Sequence, residues 1–212
     1  RRAFDSGPWS RMPAVERGRC LTRLFQLVEK HGDELAALES RDTGKPVRQG
    51  RADVTATMRY YEFYGGAGDK IHGDTIPFLP QDNNLTSLGV IKVADGLPEQ
   101  LGLVGFFYPT QVTLGNGAFS SALTLREPHG VVAGIIPWNY PLQILARVAG
   151  AALAMGNTLV VKPAEDASLS AIRIAELALE AGIPEGVFNV ITGYGRDAGA
   201  ALSAHPGVDY VT

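Results

Sequence analysis

The sequence predicts an α/β protein: a helical N-terminal segment followed by a parallel, Rossmann-like βαβ sheet. Three observations predict it. Apolar residues recur at helical spacing through roughly the first 70 residues. From Leu123 onward, short β-branched runs alternate with helical stretches. Between them lies a segment broken up by glycines and prolines, with neither period.

Pro13 to His31 reads as an amphipathic helix, because Leu21, Leu24, Phe25 and Val28 share one face and a proline opens it. Asp33 to Thr43 continues helical until Gly44 and Pro46 stop it. A third helix is expected from about Arg51 to Asp69, with Tyr60, Tyr61, Phe63 and Tyr64 packing against the sheet. From Pro77 to about Gly117, alternations such as "LGVIKV" indicate strands and loops without clear organisation. "ALTLREP" alternates like a strand, and "GVVAGII" reads as a buried one. Helix 141–155, strand 158–162, helix 168–181, strand 187–191, helix 197–204 and strand 208–211 follow, the spacing of βαβ units. The last strand reaches Thr212 with no covering helix after it, so the expectation is a fragment truncated after the fourth parallel strand.

Composition narrows the function classes. With 45% hydrophobic and 19% charged residues, the chain has ordinary globular make-up. A formal net charge of −3 offers no long-range attraction to nucleic acid or to an anionic membrane. One cysteine cannot form an internal disulfide, and neither it nor His31, His72, His129 and His205 shows metal-ligand spacing. No apolar run is long enough for a membrane span, and "RRAFDSGPW" is no signal peptide. The sequon Asn84-Leu85-Thr86 is read as a chance match, and the protein as cytoplasmic.

Ligands of open α/β sheets bind beyond the carboxyl ends of the strands. Here those ends are "PWNYP", "KPAED" and "TGYGRDAG", all expected to open on one side. Lys162 and Glu165 follow the second strand, where a carboxylate can accept from two ribose hydroxyls and a lysine can donate. The same pair also reads as solvated surface charge. Gly193, Gly195 and Gly199 resemble a nucleotide-binding turn, although the spacing is not G-x-G-x-x-G and glycines also serve plain turns. Asn139 carries an amide that can donate to an oxyanion, or can satisfy turn backbone groups before a helix. Pro137 and Pro141 restrict the backbone around it.

Together, "EPHGVVAGIIPWNYPL", "AALAMGNTLVVKPAEDASLSA", "LALEAGIPEGVFNVITGYGRDAGAALSAHPGVDYVT", "RRAFDSGPW" and "LESRDTGKP" resemble the N-terminal part of the aldehyde dehydrogenase superfamily. The pairing of "PWNYP" with "KPAE" at this separation carries most of the specificity. The resemblance implies oxidation of an aldehyde to a carboxylic acid with NAD(P)+ through a cysteine thiohemiacetal in the full-length protein. It places Asn139 as an oxyanion donor, Ile135, Ile136, Pro137 and Trp138 along the dinucleotide cleft, Lys162 and Glu165 at the adenine ribose, and Gly195 and Gly199 beside the adenosine half. Because Glu165 repels a 2′-phosphate, NAD is the expected cofactor and NADP the alternative.

The resemblance further implies a homodimer or homotetramer and a small-molecule aldehyde substrate, with no nucleic-acid, membrane or metal partner. Residues 1–78 and 118–212 would form an incomplete dinucleotide-binding domain. Residues 79–117 would form an atypical insert near the family's oligomerisation hairpin. The catalytic domain, with the nucleophilic cysteine and the general-base glutamate, is expected beyond Thr212. Cys20, on the first helix beside Leu21 and Leu24, reads as structural. The 212 residues alone are therefore expected to be inactive. The alternative is a non-catalytic dinucleotide-binding or assembly module. A third possibility, an acylating semialdehyde dehydrogenase, is disfavoured by the "PWNYP"–"KPAE" pair.

Overall fold

The computed structural model describes the backbone of residues 1–77, 110–114 and 117–212, with side chains over 1–74 and 124–212. Two compact units emerge: Arg1–Lys70 with Pro128–Thr212, and Ile71–Glu127.

The first unit begins with helices α1 (Arg2–Asp5), α2 (Ala14–Lys30), α3 (Gly32–Thr43) and α4 (Val47–Ala67). The α2 face carrying Leu21, Leu24 and Val28 is fully buried, as its spacing requires. Gly44 ends α3 in the left-handed conformation, φ 73°, its N–H donating to Ser40 O at 2.9 Å. Helix α4 starts at Val47, several residues earlier than periodicity implies, with Pro46 before its first turn. Gly50 does not break it. A Cβ there would stand 2.6 Å from Ala36 O, so the glycine serves the close approach of α3 and α4.

The second unit holds an antiparallel sheet of β1 (Thr75–Pro77), β2 (Thr110–Leu114) and β3 (Gly117–Leu123), in the order β1-β3-β2. The strand read in "ALTLREP" ends at Leu123, which pairs with Thr75, the first residue of β1. Beyond it Thr124 N–H still donates to Asp74 O at 2.9 Å, but 124–129 are irregular, with Arg126 Nε donating to His72 O at 3.2 Å. Most of the 79–117 stretch, including "LGVIKV" and the sequon, lies outside the described residues.

The first unit resumes with β4 (Val131–Ile136), α5 (Pro141–Ala154), β5 (Thr158–Pro163), α6 (Leu169–Glu180), β6 (Phe188–Val190), α7 (Ala200–Ser203) and β7 (Tyr210–Val211). The four strands are parallel in the order β6-β5-β4-β7. Strands β5 and β6 thus build outward from one flank of β4, and β7 adds to the other. This reversal puts a topological switch point beside β4, where open α/β sheets leave a ligand crevice. Gly195–Gly199 forms a π-helical turn before α7, so the helix expected over 197–204 is split, with Gly199 N–H reaching back to Tyr194 O at 3.4 Å.

One core joins the helices to the sheet through Trp9, Leu24, Tyr61, Leu145, Leu159 and Ile174. The tyrosine cluster packs against helices rather than the sheet: the Tyr64 ring lies over Gly150 of α5, where a Cβ would be 2.3 Å away. Phe63 points to solvent, 66% exposed. Cys20 is buried, its thiol pushed up by burial, with Sγ 3.7 Å from Gly182 O. Among the described residues no helix is long and apolar enough to cross a membrane.

Candidate functional site

The three loops converge because β4, β5 and β6 are parallel and in register. Ile135 pairs with Lys162, Ile136 with Pro163, and Val161 with Val190, so the strands end at nearly the same level.

At the end of β5, Lys162 is the most buried charge of the group, with its side chain 2% exposed. Its Nζ donates to Gly193 O at 2.8 Å, tying the second loop to the third, and stands 3.5 Å from Glu165 Oε2. An ammonium has three N–H donors, so one remains for a ligand. The Glu165 carboxylate is 41% exposed. Its own backbone N–H, and then Lys162 and Arg196, hold it below the usual carboxylate range.

The two loop glycines differ. Gly199 is buried, and a Cβ on it would contact Lys162 Cδ at 3.5 Å, so it packs against the lysine stem. A Cβ on Gly195 would meet nothing within 4 Å. The fold itself therefore does not require glycine at 195.

The end of β4 and the loop after it present Ile135, 36% exposed, and Trp138, 61% exposed, with Pro137 also in solvent. Ile136 faces the other way into the core, which leaves only its backbone to a ligand. Asn139 is exposed and its side chain makes no hydrogen bond to any described residue. The amide is therefore not consumed by turn backbone groups, the alternative its sequence position left open. No hydrogen bond joins it to Lys162 or Glu165.

A second constellation, absent from the sequence reading, holds this loop from behind. Lys45 Nζ donates to Asp53 Oδ2 at 2.6 Å, Glu39 Oε1 at 3.1 Å and the Asn139 main-chain oxygen at 3.0 Å. Burial alone would lower the Lys45 ammonium, but Asp53 and Glu39 outweigh it and raise it. Asp53 Oδ1 accepts from Gln49 at 2.9 Å and from Gln143 at 2.7 Å. The available signal was weak: two acids, Glu39 and Asp53, on helical faces that also carry apolar residues.

The sequence profile of the aldehyde dehydrogenase family matches residues 1–96 and 100–212. The chain belongs to the aldehyde dehydrogenase family. It is 43% identical to the mitochondrial benzaldehyde dehydrogenase of Antirrhinum majus over 210 residues, 99% of this chain and 32% of that protein. It is 38% identical to the NADP/NAD-dependent aldehyde dehydrogenase PuuC of Escherichia coli, over 100% of this chain and 35% of that protein. The crystal structure of a NAD-dependent aldehyde dehydrogenase from Sinorhizobium meliloti superposes with a TM-score of 0.76 at 36% identity, covering 99% of this chain and 34% of that one. The chain thus spans about a third of the length of the curated relatives it matches.

Proposed function

We propose that the protein carrying this chain oxidises an aldehyde to a carboxylic acid with NAD(P)+, and that these residues supply part of the cofactor site and one oxyanion donor. The observation that carries the reading is the tie from buried Lys162 to Gly193 O, which assembles two of the three strand-end loops around an ionised Glu165. Its agreement with a family whose relatives include NAD(P)-dependent enzymes supports it.

The residues fit a dinucleotide. Glu165 accepts from ribose hydroxyls, and the remaining N–H of Lys162 donates beside it. Gly195 leaves open the space a ligand backbone or ring would enter. Ile135, Pro137 and Trp138 offer an apolar wall, and Ile136 and Gly199 shape the cleft from inside the core. NAD is the preferred cofactor, because the Glu165 carboxylate repels a 2′-phosphate; NADP is the alternative. A dinucleotide held by these residues would supply the hydride acceptor for the substrate carbon.

Asn139 does its work on the aldehyde oxygen. Its free side-chain N–H stabilises negative charge as a nucleophile adds to the carbonyl. Cys20 is not that nucleophile, being buried in the helical core with its thiol raised. The thiolate and the general base belong to the rest of the protein, which assembles as a homodimer or homotetramer. Residues 1–78 and 118–212 form the cofactor-binding part, with 79–117 as an insert.

The test measures NADH formation from a panel of aldehydes by the full-length protein and by residues 1–212 alone. Turnover by the first and none by the second is expected. No turnover by the full-length protein, with intact NAD binding, favours a non-catalytic dinucleotide module.

A further inference from the structure

We propose that Lys45, held by Glu39 and Asp53, is a positioning residue that sets the Asn139 amide through the main-chain oxygen of Asn139. The inference rests on the oxyanion role proposed above, and it concerns residues on elements that do not themselves reach the strand ends.

Four segments meet at one ammonium. Glu39 comes from α3, Lys45 from the α3–α4 turn, Asp53 from α4, and the Asn139 oxygen from the loop between β4 and α5. Glu39 and Asp53 side chains are fully buried and the Lys45 side chain is 11% exposed. The three bonds of Nζ exhaust its donors, so the geometry has no slack. The carboxylates then extend their hold along α5. Glu39 Oε1 also accepts from Leu142 N–H at 3.5 Å, and Asp53 Oδ1 from Gln143 Nε2 at 2.7 Å. Leu142 and Gln143 lie in the first turn of that helix. The loop is thus gripped at Asn139 and again immediately after Pro141. The ammonium also lies 5.1 Å from the centroid of the Tyr140 ring.

This matters because the Asn139 side chain has no partner of its own among the described residues. Its main chain sets the direction of the Cα–Cβ bond that carries the amide, and the bond from Lys45 holds that main chain. Catalytic donors must be held within a fraction of an ångström, and a misplacement of about 1 Å can cost on the order of 100-fold in rate. A simple capping or ion-pair role would make Lys45 important for stability and irrelevant to kcat once the protein is folded.

The experiment is a double-mutant cycle in the full-length protein between Lys45→Met and Asn139→Ala, read by kcat and by NAD affinity, with amide hydrogen exchange over residues 138–144. Lys45→Met is expected to lower kcat about 10-fold or more with NAD affinity little changed, and to speed exchange in that segment. In the Asn139→Ala background, Lys45→Met should cost almost nothing further. Gln143→Leu keeps the lysine and both acids; it should give a smaller kcat loss with the same non-additivity, and it serves if Lys45→Met does not fold. Unchanged exchange in the folded variants overturns the clamp. Faster exchange with additive kcat losses overturns its action through Asn139. If Asn139→Ala alone leaves kcat unchanged, the oxyanion reading falls and takes the catalytic consequence with it, an outcome distinct from the other two.

Discussion

Replacing Lys162 by methionine separates a cofactor contact from a structural tie. The lysine stem packs beside Gly199, and methionine retains most of that volume, so no sizeable cavity opens. What disappears is the 2.8 Å bond to Gly193 O and the longer 3.5 Å approach to Glu165. A hydrogen bond to a charged group contributes about 1.5–3 kcal/mol. Against this stands the relief of a buried ammonium, and swapping a buried charge for an apolar isostere is often neutral. Gly193 is only half-buried, so its carbonyl can turn to water. Folding stability should therefore change by no more than about 1 kcal/mol. The bound dinucleotide has no such compensation: it loses a charge-assisted donor, about 1.5–3 kcal/mol, or about 10- to 150-fold in Kd. NAD titration by fluorescence and urea denaturation, run on wild type and variant, read the two quantities. An unchanged Kd together with a stability loss above about 2 kcal/mol refutes the reasoning, because Lys162 would then serve only to anchor the third loop.

Four further outcomes are expected. Asn139→Ala should lower kcat about 100-fold or more while NAD still binds, as checked by steady-state kinetics beside a cofactor titration. Glu165→Gln should raise the ratio of NADP to NAD in kcat/KM, since the carboxylate that repels a 2′-phosphate is gone; an unaltered ratio counts against the ribose assignment. Gly150→Ala, which in most helices stabilises, should destabilise by about 1–3 kcal/mol because the new Cβ would stand 2.3 Å from the Tyr64 ring, measurable by urea denaturation. Glu39 has its carboxyl raised by burial, opposed by Lys45. A raised carboxyl favours the folded state when protonated, so this contribution is present at low pH and fades as pH rises from the ordinary carboxylate value through the raised one. The stability of Glu39→Gln relative to wild type should accordingly improve with rising pH across that window, as followed by denaturation at a series of pH values.

Much of the framework is legible from local chemistry. Helix α2 follows from Leu21, Leu24 and Val28, the end of α3 from Gly44, and the β4–α5–β5–α6 alternation from β-branched runs between helical stretches. Periodicity and turn residues are properties of neighbours in the chain, so the sequence reports them directly. The parallel direction of the strands then follows from the crossover helices, and with it the convergence of "PWNYP", "KPAED" and "TGYGRDAG". The start of α4 was less legible because Gly50 serves a contact with Ala36 across two helices, and a glycine reads locally as a breaker.

Contacts between distant segments only the tertiary structure decides. Nothing in the sequence places β7 beside β4, buries Lys162 under Gly193, or turns Ile136 inward while Ile135 faces out. Lys45 and the Asn139 oxygen it holds are 94 positions apart. Residue types declare what a side chain is able to do. Which charges are desolvated, and which carbonyl a given ammonium meets, depends on how the helices pack around the sheet, because burial and hydrogen-bond geometry are set by the surrounding chain rather than by neighbours in sequence.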